Sequence, residues 1–248
     1  MMGGQQLLTA VVVGLAIGSA QLANAADLPV PAPAPEYSWS GCYAGAQVGL
    51  GAMEDSYTET FPVQLNPVSG LPSPNTNQWG FGVLGGGQLG CNYQIGHFVF
   101  GVESDAWASS LRTNSNFSSF AVAAKASTTN PFDFDLAGRF GFAYDQFLFY
   151  GKAGFAFGSF NYNFTSNLGP AQAGTSSSPG VVLGIGLEYA IWPHWTVKGE
   201  TDFLAFSASD VNLACNFDCV GTGGNTSYTS TITATEVLFK IGANYKFW

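Results

Sequence analysis

Between Val237 and Phe247 every second residue is apolar: Val237, Phe239, Ile241, Ala243, Tyr245 and Phe247. The residues between them are Leu238, Lys240, Gly242, Asn244 and Lys246. A strand turns successive side chains to opposite faces, so this segment has one greasy face and one that is mostly polar or small. A soluble sandwich can use the same alternation. A strand running to Phe247-Trp248 at the end of the sequence suits a barrel in an outer membrane better, because a closed barrel leaves no sheet edge to protect.

Composition narrows the choice. Only 9% of residues are charged and 15% are aromatic, with 32 glycines. That is too few charges for an ordinary soluble surface, and no mature segment has the long apolar run of a helical membrane protein. The formal net charge of −9 argues against nucleic acid, which calls for clustered Lys and Arg. It would also repel anionic lipid head groups unless the acids are hidden or lie in loops.

The one long apolar run, Leu7 to Ala20, precedes Ala23-Asn24-Ala25 and reads as a secretory signal cleaved after Ala25, although Met1–Gln6 carries no Lys or Arg. Leu28–Glu36 alternates with prolines and reads as a polyproline II spacer. The expected organisation is therefore a signal over 1–25, a Pro/Ala-rich spacer over 26–38 and a barrel over 39–248.

Eight strand-like segments follow the spacer: Trp39–Met53, Gln78–Ile95, Phe98–Ser109, Asp133–Tyr144, Phe147–Phe160, Gly180–Ala190, Trp195–Phe206 and Thr233–Phe247. Each is near or above the ~9–11 residues a tilted strand needs to cross a bilayer, and none has an internal proline. Their connections alternate in length. Gly96-His97, Asp145-Gln146 and Ile191–His194 are short, whereas Glu54–Asn77, Ser110–Phe132, Asn161–Pro179 and Ser207–Ile232 are long and polar. Short turns on one side, long loops on the other and an even strand count form the layout of an outer-membrane barrel, with both termini and the short turns periplasmic.

With the polar face inward, the acids Glu103, Asp105, Asp133, Asp135, Glu188, Glu200, Asp202 and Glu236 interleave with Arg139, Lys152, Lys198, Lys240 and Lys246. Only Arg112 and Lys125 lie elsewhere, both in the second long connection. The outward set (Phe134, Phe140, Phe142, Phe149, Phe155, Phe157, Leu183, Ile185, Leu187, Tyr189, Val197 and Phe203) carries no charge. An eight-stranded interior is barely wide enough for side chains, so the expectation is a packed lumen charge network, with an ion-selective path as the alternative.

Cys42 and Cys91 share a face near the ends of the first hairpin. They read either as a cross-strand disulfide or as two small lipid-facing hydrophobes. Cys215 and Cys219 suggest a local loop disulfide rather than a metal site, there being no histidine nearby. His97 and His194 both fall in short turns, away from any site the long loops could build, so no catalytic pair is expected. Gly85-Gly86-Gly87 and Gly184-Ile185-Gly186 lie inside strands, where glycine relieves crowding rather than cradling phosphate. No catalytic, cofactor-binding or metal-binding residue is assigned.

Several stretches are similar to the alphaproteobacterial outer-membrane immunogenic protein family. They are Ala26-Asp27-Leu28-Pro29, the run from Trp39 to Gly45, Gly85 to Gly90, Phe98 to Asp105, Leu187 to Ala190 and the closing Val237–Phe247. The resemblance spans most of the mature chain. Cys42 and Cys91 stand where the family pattern has aromatics, and Trp248 follows the usual terminal Phe. The resemblance implies an opacity-like, porin-type eight-stranded β-barrel that serves as a surface antigen, and it supplies no catalytic residues.

The expected protein is an all-β, eight-stranded antiparallel up-and-down transmembrane barrel of the bacterial outer membrane with an envelope-structural and surface-antigen role. Its partners would be outer-membrane lipid and lipopolysaccharide, with surface or host partners reached through the loops. A narrow porin and a secreted ligand-binding β-domain are the alternatives.

Overall fold

The turn chemistry of the sequence is realised at two of the three short connections. Gly96 has φ +59° and Asp145 has φ +54°, left-handed positions that Gly accepts freely and Asp tolerates. The computed structural model describes residues 37–60, 75–119, 122–166, 169–215 and 226–247. The signal and nearly all of the expected spacer lie outside the described residues.

Among the described residues nine strands form: β1 (Gly41–Thr60), β2 (Asn75–Ile95), β3 (Phe98–Ser119), β4 (Val122–Tyr144), β5 (Phe147–Ser166), β6 (Gly169–Trp192), β7 (Trp195–Phe206), β8 (Ser209–Cys215) and β9 (Thr226–Lys246). All pairings are antiparallel; β1 to β7 each pair with their chain neighbours, and β7 and β8 both pair with β9. They make one interrupted stave, broken at Ser207-Ala208, where the Ser207 amide donates to the Pro179 carbonyl (2.8 Å). β9 also pairs with β1 from Tyr43↔Lys246 to Thr60↔Thr229, which closes an eight-staved barrel.

The strands are longer than the sequence alternation suggests, and this corrects the expected loops. β3 and β4 run to within two residues of each other, as do β5 and β6, so Ser110–Phe132 and Asn161–Pro179 are mostly extended hairpin rather than loop. Most of the described parts of Glu54–Asn77 and Ser207–Ile232 are also strand, while 61–74 and 216–225 lie outside the described residues. Above the bilayer the outward face meets water, and the buried inward face includes polar residues such as Thr113, Thr128, Asn130 and Ser178, so these Ser-, Thr- and Asn-rich segments lack the apolar period by which a half-buried strand is recognised. The longer strands also contain prolines, contrary to the shorter bounds. Pro131 sits where the β3–β4 and β4–β5 registers shift, and Pro179 sits where β6 leaves β7. Neither interrupts a regular ladder, which suits a residue with no N–H to donate.

The two faces sort as membrane and lumen. β7 alternates along its length, with Thr196, Lys198, Glu200, Asp202, Leu204 and Phe206 buried and Trp195, Val197 and Phe203 exposed. Rings gather near the short turns, where Phe98 lies 5.9 Å from Phe140, Phe147 4.7 Å from Tyr189 and Trp195 5.2 Å from Tyr245. Trp79, Phe81, Phe132 and Phe157 are exposed toward the other end, and aliphatic residues such as Leu50, Leu136, Ile185 and Ile241 face outward between. Two aromatic belts around an aliphatic band match the two interfaces of a bilayer. Phe134, of the outward set, is only half-exposed.

Inward glycines make room for the large lumen side chains. A Cβ on Gly186 would stand 2.3 Å from the Tyr150 ring, and one on Gly184 would stand 2.1 Å from Asp202 Oδ1. Outward Gly199 meets nothing within 4 Å. Gly186→Val should therefore displace Tyr150 and cost ~1–3 kcal/mol by overpacking. Gly199→Ala should leave the midpoint of heat-shift on a gel unchanged. Equal midpoints for both variants would contradict this packing.

Candidate functional site

The lumen is where the chemistry-bearing residues converge. Of the thirteen charged residues the sequence places inward, twelve are buried, none more than 4% exposed, and Lys246 is half-buried. Ten of them are joined by ion pairs into two tiers.

The tier nearer the short turns is built on Arg139 of β4. Its guanidinium donates to Glu103 Oε2 (3.2 Å) and to Glu188 Oε2 (2.9 Å), and it lies over the Tyr150 ring at 3.9 Å. It also donates to the Tyr43 hydroxyl, which donates to Glu103 Oε2 (2.6 Å). Thr196 and Asn244 donate to Glu188 Oε1, and Gln88 donates to Asn244 Oδ1. The second tier is built on two lysines. Lys152 Nζ reaches Asp105 at 2.6 Å, Glu200 at 3.0 Å, Asp202 at 3.1 Å and Asp135 at 3.4 Å. Lys240 Nζ reaches Asp202 at 2.5 Å, Glu200 at 2.9 Å and Asp105 at 3.3 Å, and lies 4.8 Å from the centre of the Trp107 ring. Lys198 links the tiers through Glu103 (3.3 Å) and Glu200 (3.4 Å). Burying so many charges is costly, and short reciprocal contacts of this kind offset that cost.

Two carboxylates are held differently. Asp133 and Glu236 share the Asn130 amide, which donates at 2.7 and 2.9 Å to Asp133 and at 2.6 Å to Glu236. Asp55, a buried acid outside the sequence-predicted set, accepts from Thr113 at 2.6 Å. The sequence reading also missed Tyr43, Tyr150, Gln88, Asn130 and Trp107. Position parity along each strand would have found all but Asn130, which lies beyond the expected bounds of the fourth strand. Lys246 stands apart from both tiers and donates to the Ser38 carbonyl at the mouth.

Apolar layers lie on either side of the charged tiers. At the short-turn end, Trp39 packs with Val99, Ala143, Leu148, Tyr150 and Ala190. The segment Tyr37–Ser40 is pinned there. The Trp39 amide donates to Gln94 Oε1 (2.7 Å), the Gln94 amide to Ser40 Oγ (2.9 Å), and Tyr37 packs edge-on to Trp39. Toward the other end, Met53, Leu84, Trp107, Leu111, Phe160, Val182, Leu204 and Phe206 form a second layer, with Trp107, Leu111, Phe160 and Leu204 at most 1% exposed.

Carboxylates do come together as in a metal site, with ligand oxygens of Glu103, Asp105 and Glu200, and of Asp105, Asp135 and Asp202, within 4.8 Å. The ammonium groups of Lys152, Lys198 and Lys240 sit among these oxygens and supply the positive charge there. Cys42 and Cys91 lie opposite each other across β1–β2 and are disulfide-bonded. Cys215 ends β8, and Cys219 lies outside the described residues. His97 Nδ1 and His194 Nδ1 each lie beside a backbone carbonyl in their turns, of Ala143 (3.2 Å) and Lys246 (2.9 Å).

A closed antiparallel barrel with a lipid-facing belt and a filled lumen defines a transmembrane β-barrel. The family model described as outer membrane protein beta-barrel domain matches residues 10–247, and the chain belongs to that family of bacterial outer-membrane proteins. It is 29% identical over 231 residues, 88% of either chain, to the 31 kDa outer-membrane immunogenic protein of Brucella melitensis biotype 1, and equally so to the protein of the same name in Brucella suis biovar 1. Among solved structures it is similar to the outer membrane protein OprG from Pseudomonas aeruginosa (TM-score 0.47, 13% identity, covering 85% of this chain and 98% of that one). It is also similar to Neisserial surface protein A (TM-score 0.38, 13% identity, covering 84% and 98%).

Proposed function

We propose that the protein is a non-conducting, non-enzymatic envelope barrel that displays extended hairpins at the cell surface, with its short turns and both termini in the periplasm. The observation that carries this reading is the layered lumen, in which paired charges are covered by Trp39 and its neighbours on one side and by the Trp107–Phe160–Phe206 layer on the other. An ion crossing that path would have to displace two apolar layers and break a buried network of ion pairs. The surface-antigen role draws support from the immunogenic relatives and from the reach of β3–β4 and β5–β6 beyond the aromatic belt. An enzymatic role would need a pair of catalytic groups at the surface, and both histidines are in the short turns instead.

Planar-bilayer recording of the refolded barrel should show no steady conductance; a stable, charge-selective current would overturn the closed-lumen reading. Orientation is tested on intact cells. An epitope placed between Ser119 and Val122 should be labelled from outside, and one beside His194 should not. Labelling beside His194 would invert the topology.

A further inference from the structure

The two cations that lie away from the lumen and its mouth are not scattered. Arg112 of β3 lies opposite Thr129 of β4, and Lys125 of β4 lies opposite Asn116 of β3. Both side chains are exposed on the outward side of adjacent strands. Four residues of strand separate the two positions, about 13 Å at the rise of an extended chain. The same outward face carries Asn114 on β3, Ser127 and Thr129 on β4, and Asn161, Asn163 and Thr165 on β5. Among the described residues, no acid stands on this face of β3, β4 or β5 beyond the belt, in a chain whose formal charge is −9.

The face continues the lipid-facing surface. Phe81 of β2 is opposite Arg112, and Phe132 and Phe157 lie just below on β4 and β5. Cationic and amide side chains immediately beyond an aromatic belt stand at the depth of lipid head groups. An Arg fork suits a phosphate, with a Lys as a second point charge and Asn and Thr as sugar-hydroxyl partners. We propose that this face of β3, β4 and β5 binds the phosphorylated head group of outer-leaflet lipopolysaccharide, with Arg112 and Lys125 as its phosphate contacts. The assignment to that leaflet rests on the topology proposed above.

The test uses the full mature barrel refolded in detergent micelles, which have no sidedness, with lipopolysaccharide as the probe and unboiled gels to read both fold and co-migrating lipid. Wild type should retain lipopolysaccharide. The double variant Arg112→Ala, Lys125→Ala should retain about tenfold less or lower still, as expected for losing charge-assisted phosphate contacts, while keeping its heat-shift. The charge-preserving Arg112→Lys, Lys125→Arg variant should bind at an intermediate level. Enzymatically dephosphorylated lipopolysaccharide should bind wild type as weakly as intact lipid binds the double alanine variant, an arm that needs no variant to fold. Equal retention by wild type and double alanine variant, or of phosphorylated and dephosphorylated lipid, would overturn the site. Binding in micelles combined with outside labelling beside His194 would overturn its assignment to the outer leaflet.

Discussion

Lys152→Met is expected to cost the barrel about 3–5 kcal/mol, the usual penalty for removing one partner of a well-buried ion pair. Lys152 Nζ contacts four carboxylates, those of Asp105, Asp135, Glu200 and Asp202, and its side chain is fully buried. Removing the ammonium leaves those acids with Lys240 and Lys198, and leaves Asp135 with no ion pair. The mutant band should lose its heat-shift at a lower temperature or denaturant concentration than wild type, with no gain of conductance. Adding Asp135→Asn to Lys152→Met should recover part of the loss, because the two sites share one interaction and their effects do not add. Lys198→Met should cost less than Lys152→Met, since its two contacts are longer at 3.3 and 3.4 Å. A Lys152→Met barrel of wild-type stability with an open, cation-selective current would mean that water fills the lumen, and the packed reading would be lost.

The sequence made the membrane part of this protein legible and the rest much less so. Inside the bilayer one face must be apolar, so the alternation through Phe239, Ile241 and Tyr245 marks both the strand and its register, and the buried charges follow by parity. Above the bilayer that constraint vanishes. Segments such as Asn114–Ser119 and Asn161–Ser166 read as loop although they pair in regular ladders with β4. The bulge near Pro131 was equally hidden, and with it the inward turn of Thr128 and Asn130, because a register shift swaps faces without changing composition. Nor could parity alone separate a wet lumen from a filled one. That distinction rests on Trp39 and Trp107, two aromatic residues whose positions depend on tertiary packing.

Trp107→Ala gives the second large effect and probes the layer above the charges. Trp107 is 1% exposed, packs among Leu111, Leu204 and Leu238, and lies 4.8 Å from Lys240 Nζ. Truncation removes the ring and leaves a cavity, which together cost ~3–5 kcal/mol for a buried Trp. Gly86, whose Cβ would lie 2.6 Å from Trp107 Cα, has no side chain with which to refill the space. The stability loss should therefore rival that of Lys152→Met, although no charge has been touched. Conductance should stay at baseline, because Trp39 and its neighbours still cover the opposite side of the tiers. Only the double variant Trp39→Ala, Trp107→Ala should admit water past both layers and bring hydrogen exchange to the backbone around Lys152 and Lys240. Steady conductance from Trp107→Ala alone would show that the Trp39 layer does not seal the barrel.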